Sequence, residues 1–340
     1  MLAAVEKRRL TLPRLFALCA VVVLALAIGS GTAASGVSLQ FSVVDDTGLP
    51  LGDVLASGSR LLYVAENLGA IAVQSAASAA PQPFASFAPG GEETRCVPSP
   101  TKPAYWPPGI YCHTPDNRIF RISPDGSTIT PLATLPGTEP SDGALAFDTV
   151  GRFGYALLAA TGGSSYAGGE VYAIRETGKV QPVGTYPGPG GADEIAVAPK
   201  TFGSAAGELL ITIDEDGGHF GELLAINRHG VVRTVVPSLD SGLNPIAVIT
   251  SAGASGSPGS AAPASWPPPG LYLTDTNSQN VFFASSASLS AFAGDVFIGT
   301  EISNEFWIVQ PTSSGFAAVP VTTNLPTSNT NYEGAAFVPS

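Results

Sequence analysis

The sequence has few charged residues, and most of the charge it carries is negative. Asp, Glu, Lys and Arg make up 12% of the 340 residues, with 15 Lys and Arg against 27 Asp and Glu. This share is about half of that usual in soluble domains. Because neutralising a phosphate backbone requires a basic face, the composition excludes nucleic acid as a partner. It favours cations or neutral, hydroxyl-rich ligands.

Stretches long enough for a helical fold are also lacking, as are several catalytic motifs. The 39 Gly and 30 Pro residues interrupt the chain throughout and indicate short strands joined by tight turns. No Gly-x-Ser-x-Gly elbow, glycine-rich phosphate loop or His-Glu-x-x-His motif occurs. The serine hydrolases, nucleotide-binding proteins and metalloproteases that carry these motifs can therefore be set aside.

Residues 1–35 are typical of a secretion signal. An uncharged apolar run, Leu15 to Ile28, follows a basic segment and precedes the small residues Thr32-Ala33-Ala34, a suitable cleavage point. The alternative is a membrane anchor, but the run is shorter than the roughly 20 residues that span a bilayer. We therefore expect a secreted or periplasmic protein without membrane contact after cleavage. The basic segment contains Lys7, Arg8, Arg9 and Arg14.

The mature chain, residues 36–340, is expected to be one domain. Removing residues 1–35 takes away four basic residues and Glu6, which leaves 11 Lys and Arg against 26 Asp and Glu and a net charge of −15. About 300 residues suffice for one large β domain. Two cysteines remain, Cys96 and Cys112, and they are not a Cys-x-x-Cys pair. In an oxidising compartment two such neighbours pair more often than they bind metal, so we predict a disulfide between them.

A unit of about 50 residues recurs along the chain. Each unit opens with a polar residue before a short apolar strand, and the openings at positions 92, 142, 193 and 244 are 50, 51 and 51 residues apart. A second strand, usually entered through Gly, and a third follow, as in Gly207 to Ile211 and Glu222 to Ile226. This period with several short strands per unit is typical of a β-propeller.

Six second strands predict six blades in an all-β domain. The C-terminal strand Glu333 to Val338 has no partner after it, so we expect it to close the ring by pairing with Leu61 to Ala65. If Asp53 to Ala56 is a further opening strand, seven blades are the alternative. Two segments rich in small residues, Ala76 to Gly91 and Ser251 to Pro269, are predicted to be surface loops.

Two segments resemble known propeller families. Asn117 to Gly126 is similar to the middle of an NHL-repeat or SMP-30/gluconolactonase blade, and Leu271 to Asn277 resembles the second strand and turn of the same families. Glu333 to Phe337 is similar to the Glu-Gly-Pro-x-Trp opening of the SMP-30 group, and Ser141 to Asp148 to its Pro-Asp-Gly segment. The resemblance implies a six-bladed propeller with a divalent metal, usually calcium, at the mouth of its central channel.

Carried onto this chain, the resemblance implies a metal-ligand set at the starts of innermost strands. Its members are Glu333, Asp142, Asp193, Glu194 and Asn244. The family order of Asn, Asn and Asp is replaced here by Asp, Asp or Glu, and Asn. Strand polarity independently brings these positions to one rim, where converging oxygen ligands suit calcium. Turn capping by the same side chains is the alternative, and it is preferred for the acids that follow second strands.

Two functional classes remain open. The first is an exported propeller that binds a small neutral or cationic ligand, or a protein, on the acidic rim, with or without a calcium ion. The alternative is a metal-dependent lactonase or esterase in which the cation polarises the carbonyl group and Asp142 serves as the base. His113 and His219 are further candidate bases on this rim. The binding module requires nothing beyond the fold and is preferred.

Overall fold

A computed structural model describes residues 36–77, 79–87, 93–137, 143–162, 168–187, 191–213, 221–239, 242–251, 266–301 and 303–340. Some of the sequence predictions fall outside these residues. They concern the signal segment 1–35, Asp142, His219 and residues 252–265 of the second predicted loop. Residues 36–340 are one unit by their contacts.

Six sheets surround one axis, and the all-β six-bladed propeller is confirmed. Each blade has four antiparallel strands, named below in order from the innermost to the outermost. Blade I is β3 (Leu51–Ala56), β4 (Leu61–Ala65), β5 (Ala70–Gln74) and β6 (Gln82–Ser86). Blade II is β7 (Arg95–Pro98), β8 (Ile110–Thr114), β9 (Arg118–Ile122) and β10 (Ile129–Thr134). Blade III is β11 (Ala144–Phe147), β12 (Leu157–Gly162), β13 (Gly169–Ile174) and β14 (Val180–Tyr186).

The other three blades include both ends of the described chain. Blade IV is β15 (Ala192–Val197), β16 (Leu209–Ile213), β17 (Gly221–Ile226) and β18 (Val232–Leu239). Blade V is β19 (Leu243–Val248), β22 (Val296–Thr300), β23 (Phe306–Thr312) and β24 (Gly315–Thr323), with β1 (Val37–Leu39) parallel outside it. Blade VI is β25 (Tyr332–Val338), β20 (Gly270–Asp275), β21 (Asn280–Ser285) and β2 (Ser42–Asp46). Helical turns are short: α1 (Ser286–Leu289) and two 3-10 turns, Gly203–Ala205 and Ser290–Phe292.

The core is divided among the six interfaces between blades. One cluster of buried apolar residues lies between each pair of neighbouring blades, including the pair formed by blades VI and I. The second strands β4, β8 and β16 are buried at every position, because each is covered on both faces. Such strands appear in the sequence as continuous apolar runs rather than as alternation. The outermost strands β6 and β10 are half exposed.

Blades V and VI are interleaved along the chain. After β19 the chain crosses to blade VI to form β20 and β21, returns to blade V for β22 to β24, and ends as the innermost strand of blade VI. The predicted partner of the C-terminal strand was therefore wrong: β25 pairs with β20, whereas β4 pairs with β3. β3, which contains Asp53 to Ala56, is a true opening strand. The count stays at six because β25 is the innermost strand of blade VI and not of blade I, so each blade has one opening strand.

The first predicted loop, Ala76 to Gly91, also needs correction. It contains β6, the outermost strand of blade I, which pairs with β5 from Ala70 to Val73. Small residues and three prolines misled the prediction. An outermost strand has one open edge, so it tolerates Pro and needs little apolar surface.

Among the described residues, no helix is long and apolar enough to cross a membrane.

The predicted disulfide is present. Cys96 of β7 and Cys112 of β8 are opposite each other in the strand register, with their Cα atoms 4.1 Å apart, and both are buried. The bond therefore joins the innermost strand of blade II to its second strand. It lies next to Arg95, whose register partner is His113.

We expect the Cys96→Ala/Cys112→Ala double variant to fold with a lower melting temperature. Closing a loop of this length contributes ~3 kcal/mol in the chain-entropy description. The measurement is thermal unfolding of oxidised protein, reduced protein and the variant. Reduction should lower the melting temperature of the wild type and leave that of the double variant unchanged. Equal melting temperatures for oxidised and reduced wild type would contradict this role.

The contact between blades VI and I yields a second prediction, for Gly334 of β25. A Cβ atom there would lie 2.6 Å from the Asp53 Cα atom and 3.1 Å from the Gly52 carbonyl oxygen. Because the obstacle is backbone, Gly334→Ala should cost ~1–3 kcal/mol through overpacking. Gly52→Ala is the matched control, since its Cβ atom would meet Glu66 at 3.5 Å, an ordinary contact. Thermal unfolding should show a clear loss of stability only in Gly334→Ala. Equal losses in both variants would contradict the close backbone contact between blades VI and I.

Candidate functional site

A register shift occurs at the start of four innermost strands, β3, β15, β19 and β25, and the last three share one form of β-bulge. In β15, β19 and β25 two residues oppose a single residue of the second strand. The first residue of each bulge is polar: Asp193 in blade IV, Asn244 in blade V and Glu333 in blade VI. A bulge turns a side chain out of the regular alternation and is frequent next to functional sites. Here the same device brings three equivalent polar side chains together.

The second residue of each bulge has a matched neighbour on the second strand. In blade IV the Glu194 N–H donates to Thr212 Oγ1 at 3.0 Å, and in blade VI the Gly334 N–H donates to Thr274 Oγ1 at 2.8 Å. Both threonines are fully buried. Blade V has Pro245 at this position, which has no N–H to satisfy, and Gly299 stands where the other blades have threonine. In none of these three blades is the second residue of the bulge left with an unpaired backbone N–H.

At the centre of these residues lies the guanidinium group of Arg95, the first residue of β7. Its Nη2 atom is close to four oxygen atoms from four different blades. These are Glu93 Oε2 at 2.8 Å, Asn244 Oδ1 at 3.1 Å, Glu333 Oε2 at 3.2 Å and Asp193 Oδ1 at 3.8 Å. Only 3% of the Arg95 surface is exposed. The arginine thus holds blades II, IV, V and VI together at the axis.

Further hydrogen bonds connect this centre to blade I. Arg95 Nη1 donates to the Gly52 carbonyl oxygen. The buried Asp53 carboxylate accepts from the Val54 N–H at 2.7 Å and, across the interface, from the Cys96 N–H at 3.0 Å. We call Asp53, Glu93, Arg95, Asp193, Glu194, Asn244 and Glu333 the axial cluster. Among the described residues it joins blades I, II, IV, V and VI.

The axial cluster has more carboxyl groups than cations. Burial and the repulsion between these groups change their pKa values. Burial raises the pKa of Glu194, and burial together with the charge of Glu93 raises that of Glu333. Burial also raises the pKa of Asp53 to about 6, although the Arg95 charge lowers it. Burial disfavours the charge of Arg95, but Glu93 and the other carboxylates hold its pKa well above the usual value. Carboxyl groups therefore outnumber a permanent cation in the cluster, and burial favours the protonated form of some of them.

The axial cluster forms one end of a cavity. A space of about 350 Å³ extends from Asp53, Arg95 and Glu194 along the innermost strands toward their C-terminal ends. All six blades contribute to its mainly apolar wall. One wall residue from each blade is Val54, Val97, Leu145, Ile195, Ile246 and Phe337. Half-buried residues such as Pro98 and Ala336 lie at the far end, where solvent has access. The volume is within the range of small-molecule sites.

The sequence-predicted ligand set is brought together only in part. Asp193, Asn244 and Glu333 converge on Arg95. Glu194 is buried beside them, and its Oε2 atom accepts from the Ile246 N–H at 2.7 Å. Asp142 lies outside the described residues. Of the acids that follow second strands, Asp275 caps a turn, as preferred from the sequence: its Oδ1 atom accepts from the Asn277 N–H at 3.1 Å and also from the Asn331 N–H at 2.9 Å.

Arg95 is the functional residue that the sequence interpretation missed. Its signal was present: among the six innermost strands described, β7 alone begins with a basic residue. Converging carboxylates require a cation between them, and the mature chain has few basic residues to supply one. The interpretation assigned that role to a metal ion because it considered only the oxygen-bearing residues at the strand starts.

The oxygen atoms expected to bind calcium contact the guanidinium group of Arg95 instead. A calcium ion among Asp193, Asn244 and Glu333 would lie within a few ångströms of the guanidinium group, so the set does not fit the ion with Arg95 in this position. No group of three or more His, Cys, Asp or Glu side chains in the described ranges is arranged to hold a metal ion. The calcium ion itself stays a prediction.

No protein-family model matches the sequence, and no curated protein does. A regucalcin from Agrobacterium tumefaciens, a calcium-binding protein, has a similar structure: 13% identity, 89% of this chain and 84% of that chain covered, TM-score 0.50. Two further solved structures match. Hydrazine synthase from Kuenenia stuttgartiensis has 13% identity, covers 84% of this chain and 69% of that chain, and gives a TM-score of 0.47. A Bacteroides thetaiotaomicron protein of unknown function has 10% identity, covers 90% of this chain and 66% of that chain, and gives a TM-score of 0.47. The expected likeness to SMP-30-type propellers is confirmed for the fold.

His113 is fully buried in β8 and is not an open rim residue. Its Nδ1 atom is 3.4 Å from the Ala144 carbonyl oxygen of blade III. Burial lowers the pKa of His113 to about 4. The imidazole is therefore neutral at pH 7, and protonating it requires opening the interface between blades II and III.

The buried imidazole predicts a loss of stability in acid. The unfolded-state pKa of histidine is about 6.5 and the folded-state pKa is lower, so the contribution is complete above pH 6.5 and lost as pH falls toward 4. The loss is on the order of 3 kcal/mol over this window. Denaturant unfolding between pH 7 and pH 4.5 should show a shallower decline for His113→Gln than for wild type. The control His229→Gln, at an exposed turn, should follow wild type. Parallel curves for wild type and His113→Gln would contradict the assignment.

Proposed function

We propose that this chain is an exported binding propeller that holds a small organic ligand, cationic or neutral, in the axial cavity. The observation that carries the proposal is the cavity itself, which has apolar walls from all six blades and the axial cluster at its end. Concave, mainly apolar sites with a few converging polar groups are typical of small-molecule binding. The ligand's apolar body contacts the walls, and its polar head points to Asp53 and Glu194.

The charge of the axial cluster determines which ligand head groups the cavity prefers. Five carboxyl groups surround one guanidinium group in the axial cluster. An ammonium group gains from the surplus of carboxyl groups, and a hydroxyl group finds acceptors there. A carboxylate ligand would meet like charge in a poorly solvated place and is disfavoured. Glu301, which follows the second strand of blade V, adds its charge to that of the carboxyl groups around Glu333.

Export is part of the proposal. The basic and apolar segments within residues 1–35 support a cleaved signal, and the Cys96–Cys112 disulfide is compatible with an oxidising compartment. A secreted or periplasmic propeller with no nucleic-acid or membrane partner after cleavage meets its ligand in the surrounding medium.

The metal-dependent hydrolase is not favoured by the geometry. That chemistry requires a cation with an open coordination position beside a carboxylate base. In the part of the ring that is described, the oxygens suited to such a cation contact Arg95 instead. No step of a hydrolytic reaction is therefore assigned to these residues.

Three probes of one shape and different charge test the ligand class. We expect phenethylamine and 2-phenylethanol to raise the melting temperature of the wild type and phenylacetate to leave it unchanged. Isothermal titration should show one site per chain. Glu194→Gln should weaken binding of phenethylamine more than that of 2-phenylethanol, because an ammonium group favours the ionised carboxylate, which glutamine cannot provide, whereas its amide still hydrogen-bonds a hydroxyl group.

A pair of matched variants tests the position of the site. Ala336→Leu projects three carbon atoms from the cavity lining and should abolish binding of both probes. Ala196 occupies the same position of innermost strand β15 but does not line the cavity, so Ala196→Leu should bind as wild type does. Undiminished binding by Ala336→Leu, or equal binding of all three probes, would rule out this site. Turnover of a lactone or ester panel would favour the hydrolase instead.

A further inference from the structure

We propose that Arg95 is a built-in axial cation: its Nη2 atom takes the place of a divalent ion, makes the wild-type ring independent of such ions, and masks a latent oxygen site. The proposal concerns the axial cluster and is independent of what fills the cavity. It rests on the four oxygen atoms around Nη2 and on the bulges that bring three of them there.

The surroundings of Nη2 resemble those of a metal ion rather than those of an ordinary ion pair. Four oxygen atoms contact one nitrogen atom, and they come from blades II, IV, V and VI. Three belong to carboxyl groups and the fourth to the Asn244 side-chain amide, which also donates to Glu333. Arg95 further stabilises the ring through Gly52 of blade I. A flat guanidinium group normally pairs with one carboxylate in a bidentate contact, and Arg95 makes no such contact with the described residues.

Removing the side chain would leave an oxygen cage. The N···O distances of 2.8–3.8 Å exceed the 2.3–2.6 Å of calcium–oxygen bonds, so the carboxyl groups must close in by roughly an ångström. The space vacated by the arginine stem has room for the water molecules that complete six to eight ligands. Three carboxyl groups and one amide oxygen form a hard, anionic set. The cage left behind therefore suits calcium.

The experiment compares wild type, Arg95→Ala and Arg95→Lys in excess CaCl2, MgCl2 or EDTA. We expect the wild type to melt at one temperature in all three solutions. Arg95→Ala should melt lower than wild type in EDTA, because buried carboxyl groups lose their cation. CaCl2 should then restore several degrees and titrate as one ion per chain. Arg95→Lys keeps a positive charge and should remain independent of calcium.

Two controls locate the effect. Arg118, in the same blade, is an exposed arginine paired with Asp116, and Arg118→Ala should show no response to calcium. In the Arg95→Ala background, Glu333→Gln should abolish the response, because it removes a carboxylate of the cage. If Arg95→Ala is unfolded in EDTA, calcium-dependent refolding replaces the shift in melting temperature as the readout.

Each other result overturns the proposal. A calcium-dependent melting temperature of the wild type that Glu333→Gln abolishes would mean that metal and arginine coexist. Arg95→Ala without any gain from calcium, or unfolded with and without it, would mean that no oxygen cage is latent there. A calcium response in Arg118→Ala would trace the effect to the acidic surface in general.

Discussion

The ring depends on one buried positive charge. Six wedge-shaped blades must meet at an axis, and within the described part of the chain five of them bring polar backbone or side-chain groups to it. Carboxyl groups from different blades repel one another in a poorly solvated place, so their meeting would force the blades apart. The guanidinium group of Arg95 reverses this effect, because each carboxylate is attracted to the same point. Burial keeps that attraction strong by excluding water and salt.

This arrangement explains details of the strands that are otherwise unrelated. The bulges in β15, β19 and β25 are in equivalent places because the same inward turn is required in each blade. Thr212 and Thr274 satisfy the amides that the bulges release, and Pro245 with Gly299 avoids the need. Gly334 is small because β25 must approach the backbone of β3 beside Asp53. Local sequence choices in four blades thus serve one contact at the axis.

The fold and the site were predictable to different degrees. The 50-residue period, the Gly-entered second strands and the Cys96–Cys112 pair are local signals, and they predicted the six blades and the disulfide. The openings at Asp193, Asn244 and Glu333 were placed at one rim by repeat equivalence alone. Two features escaped because they are set by tertiary structure. The exchange of strands between blades V and VI leaves each strand's own pattern unchanged, and Arg95 acquires its role only where distant openings converge.

The interleaving of blades V and VI also determines when the protein can fold during synthesis. Blade VI contains both β2, made among the first residues of the domain, and β25, made last. Blade V cannot be completed before β24 is synthesised, although its innermost strand β19 is synthesised much earlier. Blades I to IV are each continuous in the chain, but neither of the other two can be completed until nearly the whole chain has emerged. Their contacts span almost the full sequence, which makes closure slow and late. An incomplete chain therefore cannot close into a stable ring, and closure requires that β25 has emerged.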